Sequence, residues 1–295
     1  MPVDFGWVVQ PVPTPALEIA DLPAYNRAAI ESLSSHFTTV WVEDHLQWGD
    51  TPTLEVWTTL SYLAAAYPRL RVAPMVLGQG YRNPALTAKM AASLHYLSGG
   101  RFIMGIGAGW KEDEYRAYGY DFPGAGTRIG QLSDAIEIMR AMWTQSPATY
   151  TGKYFQVADA YCEPRPTPMI PIHVGGSGEK STLRVVARLA DAWNFGFDSS
   201  EALRHKMDVL RGHCEAVGRD FNTIQLTYYA EVDLPDDPAT FTAGVGLTIG
   251  PTPAEAITQL RSFIVLGVSH ILIRTKNLAS LRRFVAEVAP ALAQG

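Results

Sequence analysis

An excess of positive charge is what this chain most plainly lacks. Lysine and arginine number 24 against 29 aspartates and glutamates, a formal net charge of -5. A nucleic-acid binder carries a basic footprint, so that class is excluded. An anionic small ligand is not excluded, because a nest of backbone amides holds one without lysines. Cysteine is scarce: Cys162 and Cys214 are the only 2 in 295 residues. That rules out a disulfide framework and a cysteine-only zinc site. The 7 histidines are scattered, with no His-x-His or His-Glu-x-x-His spacing, so no metal site is expected. No apolar run approaches the ~18 residues of a membrane helix, and Met1 to Gly6 lacks the basic start of a signal peptide. A soluble, cytoplasmic protein is expected. Charged residues make up 18% against a usual ~25%, and apolar residues 47%. Such a chain folds and buries much of itself, or hides surface in a partner.

What is present is alternation. Short apolar, β-branched runs at Phe5–Gln10, Thr38–Glu43, Arg71–Leu77, Phe102–Ile106, Ile170–Val174, Ala192–Phe195, 224–234 and Ile271–Arg274 read as strands. Helix-like runs separate them: 23–37, 53–67, 83–97, 128–143, 178–190, 200–217, 253–266 and, last, 278–292. A Pro-rich turn, Pro11 to Pro15, closes the first strand, and Thr53 reads as a helix cap. Asn83-Pro84 places a cap residue and an N1 proline in their preferred order. Strands alternating with helices argue for a parallel sheet, and eight such units favour a closed (β/α)8 TIM barrel with insertion loops. One domain over residues 1–295 is expected. The surplus over the ~250 residues of a plain barrel falls at 119–127, 146–169 and 234–251.

A barrel builds its ligand site from the loops after the strands. Glu43-Asp44-His45 leaves the second strand with Trp48 close behind, and an acid beside an imidazole binds polar heterocycles or moves protons. Gly105-Ile106-Gly107-Ala108-Gly109-Trp110 resembles a dinucleotide fingerprint but fails it: the third glycine is one place early, and Trp110 stands where Gly or Ala belongs. Its glycines are still expected to let a flat ligand approach the backbone, with Trp110 as a pocket wall or a core residue. Val174-Gly175-Gly176-Ser177-Gly178 reads as an anion cradle at a helix start. It is not a Walker loop, for no Gly-Lys-Ser/Thr closes it, nor a nucleophile elbow, since Glu179 takes the last glycine's place. Arg128, Arg274 and Lys276 either face an acidic tail or a substrate, or form surface salt bridges, the commoner fate of such residues.

Together these motifs resemble the bacterial luciferase-like flavin superfamily. The carrying residues are Trp41-Val42-Glu43-Asp44-His45, Tyr81-Arg82-Asn83-Pro84, Leu97-Ser98-Gly99-Gly100-Arg101-Phe102, the run from Gly105 to Gly119, Val174 to Gly178, and Ala190-Asp191-Ala192-Trp193-Asn194. The similarity runs in order from about residue 5 to 290. It is nearest to the subgroup using the deazaflavin coenzyme F420, with FMN-dependent monooxygenation as the alternative. The resemblance implies a barrel that is usually dimeric, here a homodimer, acting on a small-molecule substrate. It implies that the cofactor phosphate sits on Gly175, Gly176, Ser177 and Gly178 beside Val174. It places Asp44 and His45 at the ring, a non-proline cis peptide at Met75–Val76 behind it, and Asp113 at a polar cofactor contact. The sugar-phosphate dehydrogenases of the superfamily carry a catalytic glutamate where this chain has Trp110. Sugar-phosphate oxidation is therefore in doubt. That leaves His45 as the candidate acid or base, with Trp48 and Trp110 as pocket walls.

Overall fold

The computed structural model describes residues 3–14 and 17–293; Met1, Pro2 and Pro15 of the readings above lie outside the described residues. The strands of the barrel are β1 (Asp4–Val8), β2 (Phe37–Val42), β3 (Arg71–Pro74), β4 (Met104–Gly107), β5 (Ile172–Gly175), β6 (Ala192–Gly196), β7 (Gln225–Val232) and β8 (Val268–Thr275). Every neighbouring pair in this ring is parallel. The seam between β3 and β4 is sewn in two places. Val72 bridges Phe102, through Val72 N to Arg101 O and Ile103 N to Val72 O at 3.0 Å each. Beyond it, Leu77–Gly78 pairs with Ile106 and Gly107. The expected third strand is thus broken at Met75–Val76, which is a cis peptide. The fold is a (β/α)8 TIM barrel.

Helices follow the strands: α1 (Leu22–Glu31), α2 (Val56–Ala66), α3 (Pro84–Leu97), α4 (Glu112–Ala117), α5 (Ala125–Thr144), α6 (Thr182–Leu189), α7 (Ser200–Ala216) and α8 (Pro253–Ile264), with α9 (Leu278–Arg283) after β8. Asn83 caps α3 as its sequence demands, accepting Ala85 N at 2.9 Å. The cap of α2 is Glu55, which accepts Thr58 N at 2.7 Å, and not Thr53, whose hydroxyl turns back to Thr51 O. None of the helices described is long and apolar enough to cross a membrane.

The alternation of each strand separates two cores. Phe5 and Trp7 of β1 point out into the large helix–strand layer. Val8, Trp41, Ala73, Ile103, Tyr229 and Leu272 fill the barrel itself, with Met75 above them. The barrel floor is polar. Asp4 Oδ1 lies 2.7 Å from His270 Nδ1, His270 Nε2 lies 2.9 Å from Thr39 Oγ1, and Trp41 Nε1 donates to Thr39 Oγ1 at 2.7 Å. Of the insertions, 146–169 contains an antiparallel hairpin, Ala148–Thr151 with Gln156–Ala160. It folds back along α5, where Asp134 accepts Tyr154 N at 2.6 Å. It therefore flanks the barrel. The 234–251 segment instead returns to the mouth, pairing Thr248 and Ile249 with Glu231 and Val232 of β7.

Candidate active site

Strand alternation turns Glu43 inward and Asp44 outward at the end of β2. Inside, Glu43 Oε2 meets Arg274 Nη2 of β8 at 2.6 Å. Outside, the Asp44 carboxylate accepts Gly78 N at 3.0 Å and both ends of the Arg82 guanidinium at 2.8 and 3.1 Å. Arg82 also reaches Glu55 Oε1 at 2.9 Å. One network therefore ties the end of β2 to the starts of α2 and α3. Burial pushes the Asp44 carboxyl above its ordinary range, and Arg82 works against that rise.

His45 turns back over the mouth. Its Nδ1 lies 2.6 Å from Glu114 Oε1 on α4. Glu114 is wholly buried, and its other oxygen accepts Leu46 N at 2.5 Å and Gln47 N at 3.3 Å. Burial opposes charge on Glu114, but the His45 bond and these amides outweigh it and hold the carboxyl below its ordinary range. A carboxylate only accepts, so the shared proton belongs to Nδ1, and in the neutral ring Nε2 carries the lone pair. Nε2 makes no hydrogen bond to protein among the described residues. Around the imidazole stand Trp48 and Trp110, with ring centroids at 4.5 and 5.7 Å. They are 37% and 67% exposed. Lys111 Nζ lies 4.9 Å from the Trp48 ring and pairs with Asp113, whose side chain stands on the exposed rim.

The glycines of the failed fingerprint serve the protein's own packing. A β-carbon on Gly105 would sit 2.0 Å from Pro74 O, and one on Gly109, where φ is +75°, would sit 2.1 Å from the Tyr115 hydroxyl. On Gly107 or Gly175 it would meet Val76 Cγ2 at 2.9 Å. In the side-chain direction of these glycines the space is taken by Pro74, Val76 and Tyr115. Val76 is thereby wedged between the ends of β4 and β5.

The cradle lies just beyond Gly175. Gly176 has φ +113°, and Gly176, Ser177 and Gly178 are exposed. Their amides donate to no protein acceptor among the described residues. Trp193 Nε1 anchors the loop by donating to Gly176 O at 2.9 Å. The helix expected from residue 178 starts only at Thr182, so the cradle is a loop ahead of α6 and not its first turn. Unspent amides on a glycine loop are the donor set a phosphate needs.

Sequence reasoning brought His45, Trp48 and Trp110 together correctly as neighbours, but it missed Glu114, Arg82 and the Glu43–Arg274 pair. Period-two counting from Trp41 and Leu272 would have turned Glu43 and Arg274 inward. Nothing local marks Glu114 among Glu112, Asp113 and Glu114. Of the three cations singled out, Arg128 lies 3.9 Å over Phe122, Lys276 bonds Thr242, and only Arg274 lines the barrel.

The architecture and site define a (β/α)8 barrel with a histidine–carboxylate dyad and an amide cradle at its C-terminal mouth. The chain belongs to the luciferase-like monooxygenase family, whose family model matches residues 4–291. It is 32% identical over 222 residues to a protein of Kineococcus radiotolerans named F420-dependent glucose-6-phosphate dehydrogenase, covering 72% of this chain and 64% of that relative. A protein of the same name from Intrasporangium calvum is 26% identical over 312 residues, covering 87% and 90%. The match to the first thus spans a little under two thirds of its length. Among solved structures, an F420-dependent secondary alcohol dehydrogenase in complex with an F420-acetone adduct superposes with a TM-score of 0.84 at 18% identity, covering 99% of both chains. The coenzyme F420 dependent tetrahydromethanopterin reductase of Methanopyrus kandleri gives 0.81 at 15%, covering 99% and 100%. Likeness at such identity establishes the shared fold.

Proposed function

We propose that this protein is an F420-dependent oxidoreductase that moves a hydride to or from a small organic substrate at the barrel mouth. The observation that carries the reading is the His45–Glu114 dyad with its free Nε2, set on the same rim as a loop of unspent amides. Deazaflavin names on the relatives with appreciable sequence identity support F420 over FMN. When bound, a deazaflavin supplies a two-electron hydride donor or acceptor.

The residues of this chain fit that group. Gly175, Gly176, Ser177 and Gly178, with Val174 behind them, hold its phosphate, and Met75 and Val76 back the ring. Asp113 offers a polar contact on the rim. Asp44 spends its carboxylate on Arg82 and the Gly78 amide, so it frames the ring site and leaves proton movement to His45. His45 Nε2 accepts the hydroxyl proton when an alcohol is oxidised and returns it when a carbonyl is reduced. Glu114 keeps the tautomer and steadies the charged imidazole. Trp48 and Trp110 pack the substrate and exclude water. On α3, Tyr96 and Leu97 are 68% and 81% exposed, which supports the expected homodimer.

The test is a pair of titrations followed by tryptophan fluorescence. Saturable quenching by F420 with none by FMN is the expected result. The reverse makes the protein an FMN-dependent monooxygenase and overturns the reading.

A further inference from the structure

The β6–β8 side of the mouth holds polar groups that the reading above leaves unused. Tyr229 Oη, Asn194 Nδ2 and Glu231 Oε2 are each buried and make no hydrogen bond among the described residues. Arg274 Nε and Nη2 on β8 are likewise buried without a hydrogen-bond partner among those residues. Buried polar atoms in a folded protein are ordinarily paired, so this group on adjoining strands marks a place where something else binds. Strand register puts them together: Glu231 of β7 is opposite Arg274 of β8, and Tyr229 is opposite Gly196 of β6. Phe197, at the end of β6, stands edge-on to the Tyr229 ring at 4.7 Å, and the Arg274 guanidinium lies 5.8 Å from that ring. Burial pushes the Tyr229 hydroxyl far above its ordinary range, so it remains a donor.

The charge of this wall is decisive. Glu43 and Glu231 set two carboxylates against one guanidinium, Arg274, and Glu43 already holds that guanidinium at 2.6 Å. The formal sum is one negative charge: Arg274 keeps Nε and Nη2 without a hydrogen-bond partner among the described residues, but its charge is already matched by Glu43.

We propose that Asn194, Tyr229 and Glu231, beside the Glu43–Arg274 pair, recognise the substrate, and that this wall selects uncharged or cationic hydroxyl and carbonyl compounds over anionic ones such as sugar phosphates. The proposal rests on the oxidoreductase reading and names its substrate class. Tyr229 donates to the substrate oxygen, while Glu231 accepts from a hydroxyl or an ammonium group. Glucose 6-phosphate is repelled by the uncompensated carboxylate.

The experiment compares the wild type with Glu43→Gln, Glu231→Gln and Tyr229→Phe. F420 and FMN titrations are read first, and absence of F420 binding overturns the cofactor reading alone. The charge comparison is then run on protein loaded with whichever cofactor binds. Its probes are glucose 6-phosphate on one side and cyclohexanol and cyclohexanone on the other, with binding read by calorimetry. Expected is no saturable glucose 6-phosphate binding by the wild type. Glu43→Gln frees Arg274, and with it at least a tenfold gain in affinity for that anion. Glu231→Gln, a nearly isosteric change, gives a smaller gain. Tyr229→Phe weakens binding of the neutral probes severalfold with cofactor titration unchanged. Wild-type binding or oxidation of glucose 6-phosphate overturns the proposal. So does an unchanged anion affinity in both folded glutamine variants.

Discussion

His45 with Glu114 and His270 with Asp4 are the same chemical pair at opposite ends of one barrel. Their Nδ1–oxygen distances are 2.6 and 2.7 Å, and each fixes a ring tautomer by the same physics. They differ at the other nitrogen. On the floor, His270 Nε2 meets Thr39 Oγ1 at 2.9 Å, and Thr39 in turn accepts the indole of Trp41. That chain ends inside the packed barrel. At the mouth, His45 Nε2 has no protein partner among the described residues, and the ring lies beside Trp48 and Trp110. A histidine–carboxylate pair is therefore no sign of catalysis by itself. The floor pair fastens β1, β2 and β8 together, whereas the mouth pair keeps a lone pair available.

The comparison breaks most visibly at His45. His45→Ala is expected to lower kcat/KM by about 10²–10⁴, the usual worth of a general acid or base, with the F420 titration unchanged. Full turnover in that variant would remove His45 from proton transfer. Glu114→Gln keeps an acceptor for the Leu46 amide but loses the charge that steadies the imidazolium, and a fall on the order of 10² is expected. Because Glu114 acts through His45, its loss should also move the acid limb of the pH–rate profile, which a purely structural defect would not do. The wild-type Glu114 carboxyl is held below its ordinary range, so the dyad persists on acidification until the pH falls below 4.5.

At the floor the expected effect is on stability and not on rate. His270→Gln should cost about 1–3 kcal/mol in urea unfolding, by leaving the half-exposed Asp4 and the buried Thr39 imperfectly paired, while turnover per folded molecule is unchanged. A loss of turnover to match His45→Ala would erase the distinction between the two ends. An effect that appears only on acidification concerns His173, buried beside Trp41 with ring centroids 5.5 Å apart. Burial first, then the nearby His270 and Arg71, lowers its pKa from 6.5 to about 3. The unfolded chain binds the proton below 6.5 and the folded chain does not. Stability should therefore drop on acidification from pH 6.5 towards 3, by about 1.4 kcal/mol per pH unit from this group. His173→Gln should flatten that slope in unfolding curves taken across the window.

Much of the barrel was legible because helix and strand periods alternate along the chain. Asn83-Pro84 opened α3 as its chemistry requires. The break at Met75–Val76 follows from a residue pattern that also suits an unbroken strand, and only packing of Val76 against Gly107 and Gly175 explains the glycines there. The late start of α6 has the same character: Gly178 to Ser181 suits either a first helical turn or a loop, and contacts with Thr182 and Trp193 select the loop. His45, Trp48 and Trp110 announced themselves by residue type after strands. Glu114 did not, because its partner is 69 residues away and an acidic helix start is ordinary. Tyr229 hid within a strand that reads as core, and Arg274, noticed as a cation, was not joined to Glu43 because the two are brought together only by closure of the barrel.

The most direct test of the difference between the two pairs is histidine carbethoxylation by diethyl pyrocarbonate, mapped by peptide mass spectrometry with and without F420. Modification at His45, suppressed when F420 is bound, with His270 untouched in the folded protein, is the predicted result. A His45 that is unreactive, or that reacts equally with and without F420, or a His270 that reacts as fast, would contradict it.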